Sequence, residues 1–371
     1  MQKDKLNVAI VGTGRWARFA HAPGVKGHPR AELIAVCSRT RPNAEAMARE
    51  FDVPHVFTDY AELMKMDGLD AVVVATTNVT HHPICMAAIE RGRHVFCEKP
   101  LGMNLAETRE LLEAAETAGV KHMVAFTCRW LPDAIRVKQL MEAGYVGRVY
   151  HINVHKMAGY AGGEAPRRWR FDKARSGGGV LADLGSHMID LARWYLGEIR
   201  SVCGHAPTFV PQRRDPDGTT MLDCKVDDAT AFIAEFECGA QGVFHISWVA
   251  HKGHNQTIDI CGDKGTLEFY ADPEAWKLSL SGSQVPDDRR EPLDVPAELT
   301  AGIDADAPEG GFGSFIRNYS GMSRRFIDVI VNDEPPSPSF HDGMKTQEIM
   351  EAITISAQER RWVDLPLGVG G

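Results

Sequence analysis

The run Val8-Ala9-Ile10-Val11 passes directly into Gly12-Thr13-Gly14-Arg15-Trp16-Ala17, and this junction constrains the fold more than any other stretch. It reads as a short buried strand, a glycine turn and the start of a helix. Gly12 permits the tight turn, Gly14 lets the backbone approach a pyrophosphate, and Ala17 lets helix and strand pack closely. The helix N-terminus favours the anionic group there. A bare GxGxxA is weak evidence. Set after a first strand and before a helix, it reads as a dinucleotide-binding loop.

The residues that follow keep the pattern. Short apolar runs at Leu6–Val11, Glu32–Cys37, Ala71–Ala75, His94–Cys97 and His122–Phe126 alternate with amphipathic segments, including Thr80–Arg91 and Leu105–Ala118. Strands buried on both faces read this way, so residues 1–127 are expected to form an α/β domain with a parallel sheet. Asn104 and Glu107 form a capping-box-like start to the second of those helices, and Gly119 closes it. From about Tyr145 the rhythm changes to period-two alternation, at Arg148–His155, Ala229–Glu237, Gly242–Val249, Thr257–Cys261 and Thr266–Phe269. Such alternation predicts an open-faced, largely antiparallel sheet, making residues 128–371 an α+β domain. Helices are expected at Val180–Leu196, Ser314–Val331 and Gly343–Arg360, and a long surface loop between Ser281 and Gly313. A chain of 371 residues suits two domains.

In an NAD site an acidic side chain at the tip of the second strand binds the ribose 2′-hydroxyl. Here that strand ends Val36-Cys37-Ser38-Arg39-Thr40-Arg41, without an acid. Ser38 can donate to a 2′-phosphate and Arg39 can pair with it or stack on adenine, which tilts the expectation from NAD toward NADP. The same residues would also serve as a solvated loop in an NAD enzyme.

Two further elements carry chemistry. Gly92 to Pro100 ends the fourth strand of the expected sheet with Glu98-Lys99-Pro100, at the carboxyl edge where ligands bind open α/β sheets. Lys99 there either hydrogen-bonds a substrate hydroxyl or is an exposed lysine before a proline turn. The second element is Gly177-Gly178-Gly179, followed by Asp183 and His187 at i and i+4 on one helical face. Imidazole suits general-base work on an alcohol, and a neighbouring carboxylate fixes its tautomer. Alone, such a pair is more often two solvated side chains on a helix; beside the lysine and the glycine run it reads as catalytic. Arg167-Arg168-Trp169-Arg170 either grips an anionic substituent, stacks on a sugar face, or is a charged loop around a buried Trp169.

Composition narrows the rest. A net charge of −9 argues against nucleic acid as the main partner. Eight scattered cysteines without a CxxC pair read as buried free thiols in a reducing cytosol. No apolar run approaches the ~18 residues of a membrane span, and no signal region is evident, so a cytoplasmic protein is expected. His151, His155, His251 and His254 lack matching carboxylate or cysteine spacing, so no metal site is expected.

With these residues in view, the chain resembles the glucose-fructose oxidoreductase / inositol dehydrogenase / MocA family. The matches are the GxGxxA loop, Thr76-Thr77-Asn78-Val79-Thr80-His81, Glu98-Lys99-Pro100, Trp169-Arg170-Phe171-Asp172 and Gly177 to Asp190. Thr77 stands where the family usually has proline, which leaves the shape of that loop open. The resemblance implies a Rossmann domain followed by an open-faced sheet domain, and NAD(P)-dependent hydride transfer from a sugar, sugar derivative or cyclic polyol. It implies Lys99, Asp183 and His187 as catalytic residues, a cis Lys99–Pro100 bond, and cofactor contacts from Gly12, Gly14, Arg15, Trp16, Ser38, Arg39, Thr76, Asn78, His81, Glu98 and Lys99. Arg168 and Trp169 are expected to join Lys99, Asp183 and His187 around the substrate. The resemblance further implies a homodimer or homotetramer formed through the sheet's outer face, which the alternation assigns to Phe232, Ile246 and Trp248. Two alternatives remain on this scaffold: NAD-assisted glycoside hydrolysis and a non-catalytic NAD(P)-sensing regulator.

Overall fold

A computed structural model describes residues 4–251, 254–271, 278–301 and 318–368. The chain divides into two compact units, Met1–Trp130 with Gly302–Met344, and Leu131–Ala301 with Lys345–Gly371. The sequence pattern places one division, after residue 127; the contacts instead return a late segment to the first unit. That return has side-chain causes. Phe326 packs its ring 5.4 Å from that of Phe96, and Ser323 hydrogen-bonds His21.

The first unit holds six parallel strands: β1 (Leu6–Val11), β2 (Ala31–Cys37), β3 (His55–Phe57), β4 (Ala71–Val74), β5 (His94–Cys97) and β6 (His122–Val124). Their order is β3-β2-β1-β4-β5-β6, a doubly wound Rossmann sheet whose connections reverse between β1 and β4. β4 is wholly buried, as are the last four residues of β1, consistent with apolar side chains on both faces. β3 escapes sequence reading because it is three residues at a sheet edge, too short to show a period.

The second unit is built on a nine-stranded sheet. Its strands are β7 (Val149–Ala158), β8 (Ile199–His205), β11 (Ala229–Phe236), β12 (Gln241–Ser247), β13 (His254–Gly262), β14 (Gly265–Ala271), β15 (Leu278–Gln284), β16 (Asp287–Pro292) and β17 (Val363–Asp364). β9 (Gln212–Arg214) and β10 (Met221–Asp223) form a separate hairpin. The order is β16-β15-β14-β13-β7-β12-β11-β8-β17, antiparallel throughout except for β7 beside β12. The stretch expected as a loop from Ser281 instead carries β15, β16 and the short helix Ala297–Thr300; residues 302–313 lie outside the described residues. β16 is a polar strand, Asp-Asp-Arg-Arg-Glu-Pro, so hydrophobic alternation could not reveal it.

The two faces of the sheet are set by register. Phe232, Phe244, Val154, Ile258, Phe269 and Leu280 are successive cross-strand partners and all are buried. Phe232, Ile246 and Trp248 therefore belong to the covered face, and their expected place on the outer face is corrected. Alternation defines two faces but does not say which one helices cover. Here the helical turn at Leu181–Gly185 lies against β11 and β12 and claims the Phe232 side. The opposite face carries the paired Ile233 and Val243, 37% and 40% exposed, together with Tyr270 and a row of polar side chains.

Candidate active site

In the first unit, the residues at issue leave the carboxyl ends of the strands. β1 runs into Gly12, whose φ of +113° and lack of Cβ are both required: an added Cβ would lie 2.0 Å from the Ala75 carbonyl oxygen. An added Cβ on Gly14 meets no protein atom within 4 Å, so the space over that backbone is open to a ligand. The helix that follows starts with an Arg18 N–H to Gly14 carbonyl bond and widens into a π-type turn at Ala17–His21. Trp16 packs at a tilt against Tyr319, with ring centroids 5.6 Å apart, and Arg15 is exposed. Ser38, at the end of β2, shares a 3.1 Å hydrogen bond with Thr13; Arg39 is exposed. The cradle therefore has the open backbone that a dinucleotide needs at Gly14, with Ser38 and Arg39 at the end of β2 beside it.

β5 ends at Glu98-Lys99-Pro100, and the Lys99–Pro100 bond is cis. Glu98 is buried; its carboxylate meets His21 Nε2 at 3.0 Å and accepts the Lys99 backbone N–H at 3.3 Å. His21 Nδ1 meets Ser323 Oγ at 2.9 Å, which completes a buried Ser323–His21–Glu98 chain behind the half-buried Lys99. His81 is fully buried. Its Nδ1 lies 2.7 Å from the Pro100 carbonyl, and burial pushes its ring below the usual histidine range, so the neutral ring donates to that oxygen. It braces the lysine segment from beneath. Asn78 is also buried, and Thr76 accepts a hydrogen bond from Thr80.

In the second unit, Val180–Leu196 is helical throughout, with a π-type turn over Leu181–Gly185 that contains Asp183. Asp183 Oδ2 accepts from the Tyr160 hydroxyl at 2.7 Å, and Oδ1 accepts from Arg170 Nε at 3.3 Å. Desolvation, then the Asp183 charge, holds the Tyr160 hydroxyl well above its usual range. His187 is half-buried one turn on. The glycine run before the helix is clamped by Asp227, whose carboxylate accepts from the Gly179 and Leu181 N–H groups at 2.7 Å each. Burial raises the Asp227 carboxyl, and those two bonds oppose the rise. An added Cβ on Gly179 would sit 1.9 Å from the Asp227 carbonyl oxygen, so glycine is obligatory there.

His21, Ser323, Tyr160 and Asp227 carry no sequence signal. Each meets its partner across a long stretch of chain, 302 residues for His21 and Ser323 and 48 for Asp227 and Gly179. Among the described residues, no group of three or more His, Cys, Asp or Glu side chains is arranged to hold a metal ion. No helix there is long and apolar enough to cross a membrane.

The glycine cradle at the switch point of a doubly wound sheet, with a lysine at the end of β5, defines a dinucleotide-dependent oxidoreductase. Residues 6–126 match the oxidoreductase family with an NAD-binding Rossmann fold, and residues 134–268 match the GFO/IDH/MocA C-terminal domain. The chain belongs to the GFO/IDH/MocA family. It is 29% identical to a levoglucosan dehydrogenase of Pseudarthrobacter phenanthrenivorans over 98% of this chain and 99% of that one. It is 25% identical to a myo-inositol 2-dehydrogenase of Thermotoga maritima over 98% and 100%. Among solved structures, a levoglucosan dehydrogenase in complex with NADH and L-sorbose superimposes with a TM-score of 0.88 at 28% identity, covering 98% of this chain and all of that one.

Proposed function

We propose that the protein oxidises a hydroxyl of a sugar, sugar derivative or cyclic polyol, or reduces the corresponding ketone, with NAD(P). The observation that carries this reading is Lys99, set at the carboxyl edge of the nucleotide-binding sheet with its segment held by the Ser323–His21–Glu98 chain. A bound nicotinamide dinucleotide supplies the hydride acceptor. In this reading His187 takes the hydroxyl proton, and Asp183, held by Tyr160 and Arg170, supports the charge that develops on the imidazole. Lys99 donates a hydrogen bond to the reacting oxygen and steadies negative charge as it grows there.

Gly12, Gly14, Arg15 and Trp16 serve the pyrophosphate, and Thr76, Asn78 and Glu98 shape the nicotinamide end. Arg168 and Trp169 contact the substrate. Ser38 and Arg39, without an acid at the tip of β2, favour NADP over NAD. Eight free cysteines suit a reducing cytoplasm. We assign assembly into a homodimer or homotetramer to the outer sheet face around Ile233 and Val243, whose exposed apolar pair is the observation in favour.

The deciding experiment incubates the protein with monosaccharides, anhydrosugars, glycosides and inositols, each with NAD and with NADP, and follows nicotinamide reduction. Steady reduction with one of these substrates is expected, with the lower KM for NADP. Aglycone release without net reduction would instead favour glycoside cleavage, and tight dinucleotide binding with no turnover would favour a sensor.

A further inference from the structure

Within the second unit a cavity of about 270 Å³ is lined by Arg167, Arg168, Trp169, Asp172 and Arg175 on one side and by Leu222 of the β9–β10 hairpin on the other. Three arginines and one aspartate line it, in a chain whose overall charge is −9. That carboxylate is already engaged: Asp172 caps the Ala174 N–H at 3.2 Å and pairs with Arg167 at 3.4 Å. Arg167 is fixed further by its backbone N–H, which donates to the Arg214 carbonyl at 2.6 Å. Among the described residues, no carboxylate pairs with Arg168 or Arg175.

Two arginines without carboxylate partners, converging on a concave surface, focus positive potential in it. Guanidinium forks match the oxygen geometry of carboxylate and phosphate. Trp169 adds a ring that can lie against the C–H face of a sugar. The pocket also communicates with the candidate catalytic carboxylate: Arg170 stacks 4.5 Å over Trp169 and donates to Asp183 at 3.3 Å.

We propose that this pocket binds one carboxylate or phosphate group on a small polyhydroxylated ligand, and that this ligand is the substrate. The claim that it is the substrate rests on the oxidoreductase reading above. The claim of an anion site does not.

The test uses the full chain with saturating dinucleotide. Binding of inorganic phosphate is measured by calorimetry for the wild type, Arg168→Gln, Arg175→Gln and Arg175→Lys, with melting temperatures confirming that each variant is folded. Phosphate is expected to bind, to weaken as salt is raised, and to lose roughly tenfold in affinity in each glutamine variant, with part of the loss restored by lysine. In the second arm, glucose, glucuronate and glucose 6-phosphate are compared as substrates with phosphate as competitor. An anionic sugar with a KM about tenfold or more below that of the neutral one, competed by phosphate, supports the proposal. Phosphate affinity equal in all four proteins overturns the site. Arginine-dependent phosphate binding without anionic preference or competition overturns the substrate claim and identifies a free anion as the ligand. Arginine-dependent binding with no turnover on any sugar supports the site and counts against the oxidoreductase reading.

Discussion

His122 shows how one buried side chain sets a pH limit on the fold. Its Nδ1 accepts the Phe340 backbone N–H at 3.1 Å, so that nitrogen must be unprotonated, and its ring packs 4.9 Å from that of Phe340. Burial, and then the Lys121 charge, push it from 6.5 down to about 4. Between those two values the unfolded chain binds more protons than the folded one. The stability tied to His122 is therefore complete above 6.5 and lost as pH falls toward 4, by roughly 3 kcal/mol at most. Urea midpoints of the wild type should drop across that window, and His122→Asn should drop less; parallel curves for the two proteins would refute the assignment. Glu98 is a contrasting case. The motif Glu98-Lys99-Pro100 was legible because strand, charge and proline are adjacent in sequence. Its supports were not, since His21 and Ser323 reach Glu98 only through the folded chain.

Elements were legible where local chemistry decides them. Leu105–Ala118 has its expected bounds because Asn104 accepts the Glu107 N–H at 2.9 Å, Glu107 accepts the Met103 N–H at 2.8 Å, and Gly119 takes a φ of +64°. Asn104→Ala should cost about 1 kcal/mol in a chemical denaturation curve, and Asn104→Ser should recover most of it. No change in midpoint for the alanine variant would show that packing alone holds that end. The sheet of the second unit was legible only in part. Alternation marks β7, β11, β12, β13 and β14 but does not say which face is covered, and Phe232, Ile246 and Trp248 lie on the covered one. Strands of two or three residues, such as β3 and β17, and the charged β16 carry no period to read.

At the scale of the whole chain, the family matches take in residues 6–126 of the Rossmann unit and 134–268 of the sheet unit. The assembly proposal turns on two exposed side chains. Val243→Asp should shift light-scattering mass toward the monomer without unfolding the protein, because residue 243 is exposed and only its chain neighbours Gly242 and Phe244 lie on the buried side. An unchanged oligomer, or a wild type that is already monomeric, would remove that face as the interface. Whether Lys99 acts on the substrate oxygen is read out in Lys99→Ala, with kcat measured on the best polyol substrate and dinucleotide affinity measured separately. The expected result is a loss of roughly 100- to 1,000-fold in kcat with dinucleotide binding largely intact. Near-normal turnover in that variant would rule out a role for Lys99 at the reacting oxygen.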